Sequence, residues 1–168
     1  MSETESFQPM FTAEHERQLD SGLRVMLPKD WRSLNITEFF LISGSTSSFG
    51  PSLKYIRAHP RSEYNEMIAK IKNDQTIDQP ERQRQLWEIG SACRRVLVDP
   101  SGRLTVPADL CEESGIGTEK NTPVMLSGEV LAFSIWKPSE LAAWKKHCST
   151  PQKSGPQRVS AKQKYFGA

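Results

Sequence analysis

A ten-residue pattern occurs twice in this 168-residue chain and constrains its fold more than any other sequence feature. The two copies are residues 19–28 (LDSGLRVMLP) and residues 98–107 (VDPSGRLTVP). Each copy holds an Asp, an Arg and a Pro at four-residue intervals, with a constant offset of 79 residues between copies: Asp20, Arg24 and Pro28, then Asp99, Arg103 and Pro107. An internal repeat of this kind predicts one supersecondary unit built in duplicate.

Each copy is predicted to form a hairpin turn and a returning strand, which ends at the Pro because Pro lacks the N–H of a central strand. Asp99, Pro100 and Gly102 suit a type I turn, and Gly22 is expected to supply the backbone freedom of the first turn. The full repeat reads as strand, turn, strand, short helix, strand and strand. Such a unit is too small to bury its own apolar faces, so the two halves are expected to pack on each other.

Between the repeats, the hydrophobic period changes from that of a strand to that of a helix. Four residues spaced as one helix face are Tyr64, Met67, Ile68 and Ile71, with Ser62 as the expected N-cap. Asp78, Pro80 and Glu81 mark the start of a second helix, on whose outer side Arg82 is expected. The predicted segments are a disordered N-terminus (1–10), a first β-rich module (11–60), a helical connector (61–90), a second module with a closing helix (91–147) and a disordered basic tail (148–168).

The net charge of +2 is unevenly distributed along the chain. Residues 149–168 carry four cations and no acid, which leaves the other 148 residues at −2. A body of this charge is expected to bind nucleic acid only through a local patch, through repeated copies or through the tail. The tail itself fits two roles, a nonspecific DNA-contacting arm or a solubilising end.

Several classes of protein are disfavoured by what the sequence lacks. Three cysteines have no paired or metal-like spacing, and the three histidines are scattered along the chain. No phosphate loop, nucleophile elbow or pair of catalytic carboxylates is present. No apolar run approaches the roughly 20 residues of a membrane span, and the acidic N-terminus is unlike a signal peptide. We therefore expect a cytoplasmic protein that is not an enzyme and that uses no cofactor or metal.

The ordered series of motifs resembles a known family. The sequence Asp-x-x-x-Arg, strand, Pro, short helix, strand, Gly and strand resembles the AbrB-type swapped-hairpin DNA-binding module. Two such modules, a two-helix connector with Gly90-Ser91-Ala92 and a closing strand Phe133-Ser134-Ile135-Trp136 resemble the MraZ family of bacterial regulators, over residues 11–146. The fold class that this resemblance implies is α+β, with two AbrB-like swapped-hairpin modules packed as a pseudo-two-fold β-barrel, a two-helix connector and a C-terminal helix.

The same resemblance implies a function and a set of partners. It implies a sequence-specific DNA-binding repressor of a cell-division and cell-wall gene cluster, acting in the cytoplasm on the nucleoid. It also implies a ring-shaped homo-oligomer that meets direct repeats in double-stranded DNA with several subunits at once. Multivalent binding of this kind suits a chain with weak local basic patches.

Seven residues are the predicted DNA-binding set: Arg24, Arg103, Asp20, Asp99, Arg17, Lys29 and Arg95. The fork of an Arg side chain suits contact with phosphate or with a guanine edge. The alternative for Arg24 and Arg103 is a local ion pair with Asp20 or Asp99 that fastens the hairpin, and the two roles are compatible. The flanking cations, with Arg94 beside them, are predicted phosphate contacts or simply solvated charges.

A second hypothesis belongs to a different functional class. The chain would then be a ring-forming protein–protein scaffold that retains the fold but has lost DNA reading. Gly22-Leu23 replaces the Lys-Gly that usually precedes the turn Arg in the family, and the body is acidic. Both observations favour this alternative.

Overall fold

The computed structural model describes residues 10–47, 50–150 and 160–166, with the side chain of Gln163 excepted. The strands are β1 (Glu14–Gln18), β2 (Arg24–Met26), β3 (Glu38–Ser45), β4 (Lys54–Pro60), β5 (Arg94–Leu97), β6 (Arg103–Thr105), β7 (Pro123–Gly128) and β8 (Phe133–Trp136). The helices are α1 (Lys29–Arg32), α2 (Arg61–Asn73), α3 (Gln79–Ala92), α4 (Ala108–Glu113), α5 (Pro138–Ser149) and α6 (Ala161–Phe166). The predicted α+β class is confirmed at this level.

The strands form a six-stranded antiparallel sheet in the order β1-β7-β8-β4-β3-β5 and a separate two-stranded ribbon of β2 and β6. The first half of the fold (residues 11–60) and the second half (residues 91–147) exchange strands. Strand β1 pairs with β7, β5 pairs with β3, and β4 pairs with β8, each time across the two halves. Strands β1, β3 and β4 of the first half are equivalent to β5, β7 and β8 of the second half. When each strand is replaced by its equivalent, the strand order of the sheet is the same order read in reverse.

Among the described residues, the six-stranded sheet does not close into a barrel, so the predicted β-barrel is wrong. Strands β1 and β5 lie at its two ends, and β2 and β6 form their ladder with each other. Leu104 of β6 forms only an isolated bridge, with Val98 beyond the end of β5. The ribbon is linked to the adjoining strands by turn hydrogen bonds, in which the N–H of Asp20 donates to the carbonyl of Arg24 and the N–H of Asp99 to that of Arg103. These bonds close the turns without extending into a continuous ladder.

The main hydrophobic core lies between the inner face of the sheet and the ribbon with its short helices, and a smaller cluster is formed by Leu53, Trp136 and Leu141. The centre of the main core is an aromatic cluster in which the Trp31 ring lies 4.9 Å from Phe133 and 5.4 Å from Phe11, between ring centroids. Phe39 also packs on Phe133, at 5.1 Å. The indole N–H of Trp31 donates to the carbonyl of Thr12, so the buried polar atom is satisfied. The core thus joins residues from both halves.

The connector helices differ in detail from the predicted ones. Helix α2 begins at Arg61 after Pro60, so Ser62 is not its N-cap, whereas Asp78 caps α3 as predicted by accepting from the N–H of Glu81 at 2.9 Å. Arg82 turns inward rather than outward, because its guanidinium donates to the carbonyls of Lys72 and Asp74 at the end of α2. Neither α2 nor α3 contains a buried residue.

The first strand and the tail also differ from prediction. A positive φ of 66° at Ala13 interrupts the expected strand, so β1 begins at Glu14 and Phe11 forms only an isolated bridge with Val130. The predicted unstructured tail begins inside α5 and includes the short helix α6. Most of the predicted disordered N-terminus, residues 1–9, and residues 151–159 of the tail lie outside the described residues.

Within the described ranges, no helix has the length and apolar character needed to cross a membrane.

The buried His59 on β4 predicts a pH-dependent stability. Burial, and secondarily the charge of Arg57, lower the pKa of His59 from 6.5 to about 4. The folded state therefore keeps this imidazole neutral where the unfolded chain protonates it. Its contribution is fully present above about pH 6.5 and falls by up to about 3 kcal/mol as the pH drops towards 4. Urea denaturation of the parent at pH 7 and pH 4.5 should show this loss, and His59→Gln should show less of it.

The matched control is His15→Gln, since His15 lies on β1 with its ring against Trp31 rather than fully inside the fold. We expect this variant to keep the pH dependence of the parent. Equal losses for the parent and His59→Gln would contradict the assignment to His59.

Candidate nucleic-acid interface

The first repeat turn is organised by the carboxylate of Asp20. One carboxylate oxygen accepts hydrogen bonds from the backbone N–H groups of Gly22 and Arg24, both at 2.9 Å. The other accepts from Arg24 Nε at 2.8 Å. A single side chain therefore fixes both the backbone of the turn and the direction of the arginine.

The second repeat turn has the same arrangement. Asp99 accepts from the backbone N–H groups of Ser101 and Arg103, both at 2.9 Å, and from Arg103 Nε at 3.0 Å. The N–H of Gly102 donates to the carbonyl of Asp99 at 2.9 Å, which closes the turn. The predicted pairing of each Arg with its Asp is present in both copies.

The left-handed position of each turn is where the two sequences differ. Gly102 has a φ of 86°, and its equivalent in the first turn is Leu23, with a φ of 58°. Gly22 is not among the residues of positive φ, so the prediction that it supplies the freedom of the first turn is wrong. The N–H of Leu23 still donates to the carbonyl of Asp20 at 3.0 Å. The first turn is therefore a geometric equivalent of the second in spite of its different residues.

The ribbon brings the two turns side by side. Arg24 pairs with Thr105 and Met26 pairs with Arg103, whereas Val25 and Leu104 between them are fully buried. Because side chains alternate along a strand, the two arginines share the outer face of the ribbon. Arg103 Nη1 also lies 4.0 Å from the Asp20 carboxylate, which links the turns directly.

Both turn carboxylates are held in their charged form. A hydrogen bond from the backbone N–H of Arg24 is the largest effect that lowers the pKa of Asp20. The N–H of Arg103 does the same for the pKa of Asp99. Because these values lie below the unfolded one of about 3.9, the two groups stabilise the fold above about pH 4 and lose that effect as the pH falls further.

The three flanking cations lie in different surroundings. Arg17 on β1 reaches the ribbon, where its Nε donates to the carbonyl of Met26 at 3.0 Å. Lys29 is exposed at the start of α1, directly after the ribbon strand β2 and Pro28. Arg95 is engaged elsewhere, since its guanidinium is bonded to the carboxylate of Glu38 together with Arg61. The structure thus groups Arg17 with the turns and separates Arg95 from them.

Two residues of the ribbon face were missed in the sequence. Met26 and Thr105 stand between the arginines on the outer face, and both are exposed. Their position two residues after Arg24 and Arg103 is the signal that could have identified them, since alternate residues of a strand share a face.

In the described ranges, no group of three or more His, Cys, Asp or Glu side chains is placed to hold a metal ion.

Fold and site together define a class of protein built from two interlocked copies of one hairpin unit, which present two Asp-held arginines on a shared ribbon. No protein-family model matches the chain. A transcriptional regulator MraZ from Hyphomonas neptunium is 25% identical over 140 residues, an alignment that covers 79% of this chain and 76% of the relative. Over 79% of its length, this chain is therefore similar to a transcriptional regulator of the MraZ family.

The left-handed glycine of the second turn provides a test of the turn geometry. A Cβ on Gly102 would lie 2.2 Å from Cδ of Arg32, and the φ of 86° disfavours any side chain. Gly102→Ala is therefore expected to lower the free energy of unfolding by at least about 1–2 kcal/mol, measured by urea denaturation.

Gly90→Ala is the matched control for this prediction. Gly90 lies within α3, and a Cβ there meets nothing within 4 Å. This substitution should raise the free energy of unfolding by about 0.5–1 kcal/mol. A Gly102→Ala protein as stable as the parent would show that the turn is not held in this conformation.

Proposed function

We propose that this protein is a DNA-binding transcriptional regulator that reads DNA with the outer face of the β2–β6 ribbon. The observation that carries the proposal is the placement of Arg24 and Arg103 on one face, each held by its own Asp. The MraZ relative is named a transcriptional regulator, which supports the same conclusion.

The chemistry of the arginines fits this role. Each guanidinium donates from Nε to its own Asp, and within the described residues its two terminal nitrogens form no hydrogen bond. The nearest carboxylate to a terminal nitrogen is that of Asp20, 4.0 Å from Arg103 Nη1. The side chains of Arg24 and Arg103 are 38% and 34% exposed, which leaves these nitrogens accessible. A two-stranded ribbon fits the major groove of B-DNA, where a terminal Arg fork reads the O6 and N7 acceptors of guanine. In this proposal, each Asp therefore holds its Arg in the orientation in which the guanidinium reads a base.

Asp20, Asp99, Arg17 and Lys29 complete the proposed interface, the acids as positioning groups and the cations as phosphate contacts. Arg95 is the weakest member, because its guanidinium is already paired with Glu38, which also binds Arg61. We further propose that the protein represses a cell-division and cell-wall gene cluster on the nucleoid in the cytoplasm, in keeping with the family resemblance.

A homo-oligomeric ring on direct repeats is part of the proposal. One protomer offers only a few cations around its ribbon, so linking several copies would raise the total affinity without new contacts. Exposed apolar side chains away from the ribbon support self-association, because Trp87 on α3 is 70% exposed and Leu97 at the end of β5 is 57% exposed. The same two exposed side chains favour the second candidate function, a ring-forming scaffold that does not read DNA.

A double variant tests the reading role. In Arg24→Ala/Arg103→Ala, two bidentate contacts of about 1–3 kcal/mol each are removed, so affinity for the target should fall by at least about 30-fold. The measurement is fluorescence anisotropy with duplex DNA from upstream of the protein's own gene. Lys145→Ala/Lys146→Ala on α5 removes the same charge away from the ribbon and should bind like the parent.

Light scattering on the same samples separates the two functions. A double variant that assembles like the parent but does not bind DNA supports the regulator. A parent that assembles and binds no DNA supports the scaffold. Unchanged affinity in the double variant would move the DNA contact away from the ribbon.

The basic tail gives an independent prediction. Replacing Lys153, Arg158, Lys162 and Lys164 by Gln in the full chain should flatten the salt dependence of nonspecific DNA binding if the tail is a DNA-contacting arm. An unchanged slope of log affinity against log salt would leave the tail as a solubilising end.

A further inference from the structure

Arg32 is the last residue of α1 and lies against the second turn, although it belongs to the first half of the fold. A Cβ on Gly102 would lie 2.2 Å from Arg32 Cδ and 3.2 Å from Cγ, so the aliphatic stem crosses directly over that glycine. Gly102 is buried for this reason, whereas Arg32 itself is exposed. The absence of a side chain at Gly102 is what gives Arg32 its path.

Among the described residues, Arg32 has no partner for its charge. Across residues 10–47, 50–150 and 160–166, its guanidinium forms no ion pair and no hydrogen bond. The other arginines near the ribbon are all engaged: Arg17 with a backbone carbonyl, Arg24 with Asp20 and Arg103 with Asp99. The guanidinium of Arg32, close to the outer face of the β2–β6 ribbon, is therefore available to bind an anion.

The surroundings of Arg32 form a notch between the second turn and the chain that enters β3. Polar residues on its rim are Asn35, Thr37 and Ser101, and the notch has a volume of about 420 Å³. The carboxylate of Asp99 also lines it, but that carboxylate already accepts three hydrogen bonds from its own turn. The notch therefore offers one unpaired positive charge and several hydroxyl or amide groups.

The second half has no equivalent of this site. At the offset of 79 residues, Arg32 corresponds to Cys111, which is fully buried in α4. Lys29 corresponds to Ala108 in the same comparison. The duplicated fold does not require an arginine at this position, so Arg32 is not explained by the architecture.

We propose that Arg32 is an additional DNA contact, binding a backbone phosphate beside the second turn while Arg103 of that turn faces the bases. This inference rests on the proposed function and adds a residue to its interface. An unpaired Arg at the margin of a ribbon is placed where the phosphates flanking a groove would lie. A contact of this kind carries affinity and salt dependence but no sequence information.

The test compares Arg32→Ala and Arg32→Lys with the parent by fluorescence anisotropy over a range of salt concentrations. Loss of one phosphate contact should reduce the slope of log affinity against log salt by about 0.9 per bound protomer. Arg32→Lys should keep the parent slope because it keeps the charge. The ratio of affinities for target and mismatched DNA should stay unchanged in both variants, whereas Arg24→Ala/Arg103→Ala should reduce it.

Lys146→Ala is the charge-matched control, and thermal melting of each variant establishes that it is folded. A parent slope retained in a folded Arg32→Ala protein would overturn the phosphate contact while leaving the reading role of Arg24 and Arg103 intact. A parent that binds no DNA would instead overturn the proposed function itself. A changed target-to-mismatch ratio in Arg32→Ala would overturn the assignment to phosphate.

Discussion

Exchange of strands between the two halves is the constraint on which the rest of the structure depends. Neither half completes its own sheet, because β1 needs β7 and β5 needs β3. The same exchange creates the ribbon, since β2 of the first half and β6 of the second half form a two-stranded sheet with each other in the described part of the chain. The core and the paired arginines therefore have one origin, and a change that loosens the exchange affects both.

The two turns show how far long-range pairing overrides local preference. Leu23 occupies a left-handed position for which Gly is the usual residue, yet its turn matches the one at Gly102. Reciprocal hydrogen bonds hold both sites, from the N–H of Val106 to the carbonyl of Leu23 at 2.8 Å and from Leu27 to Gly102 at 3.0 Å. Reduced turn chemistry in the first copy therefore does not imply a lost function.

Much of the fold could be predicted from local signals in the sequence. The offset between Asp20 and Asp99 revealed the duplication, and Asp78 with Pro80 located the start of α3. The open sheet could not be predicted, because ladder closure depends on pairings between residues far apart in the chain. Arg32 was missed for a similar reason. Its side chain lies over Gly102, 70 positions away, and nothing in the residues next to Arg32 indicates that contact.

The helical connector has a consequence for how the two halves meet. Helices α2 and α3 contribute no buried residue to the core, although Tyr64 of α2 stacks on Phe40 at 4.2 Å between ring centroids. Their main effect is to tether the halves, which fixes a high effective concentration of each for the other. Assembly of the interlocked sheet thereby becomes a first-order step, independent of protein concentration. A homodimer of one such unit would carry the same residues in both copies, whereas the tethered copies can differ, as Leu23 and Gly102 do.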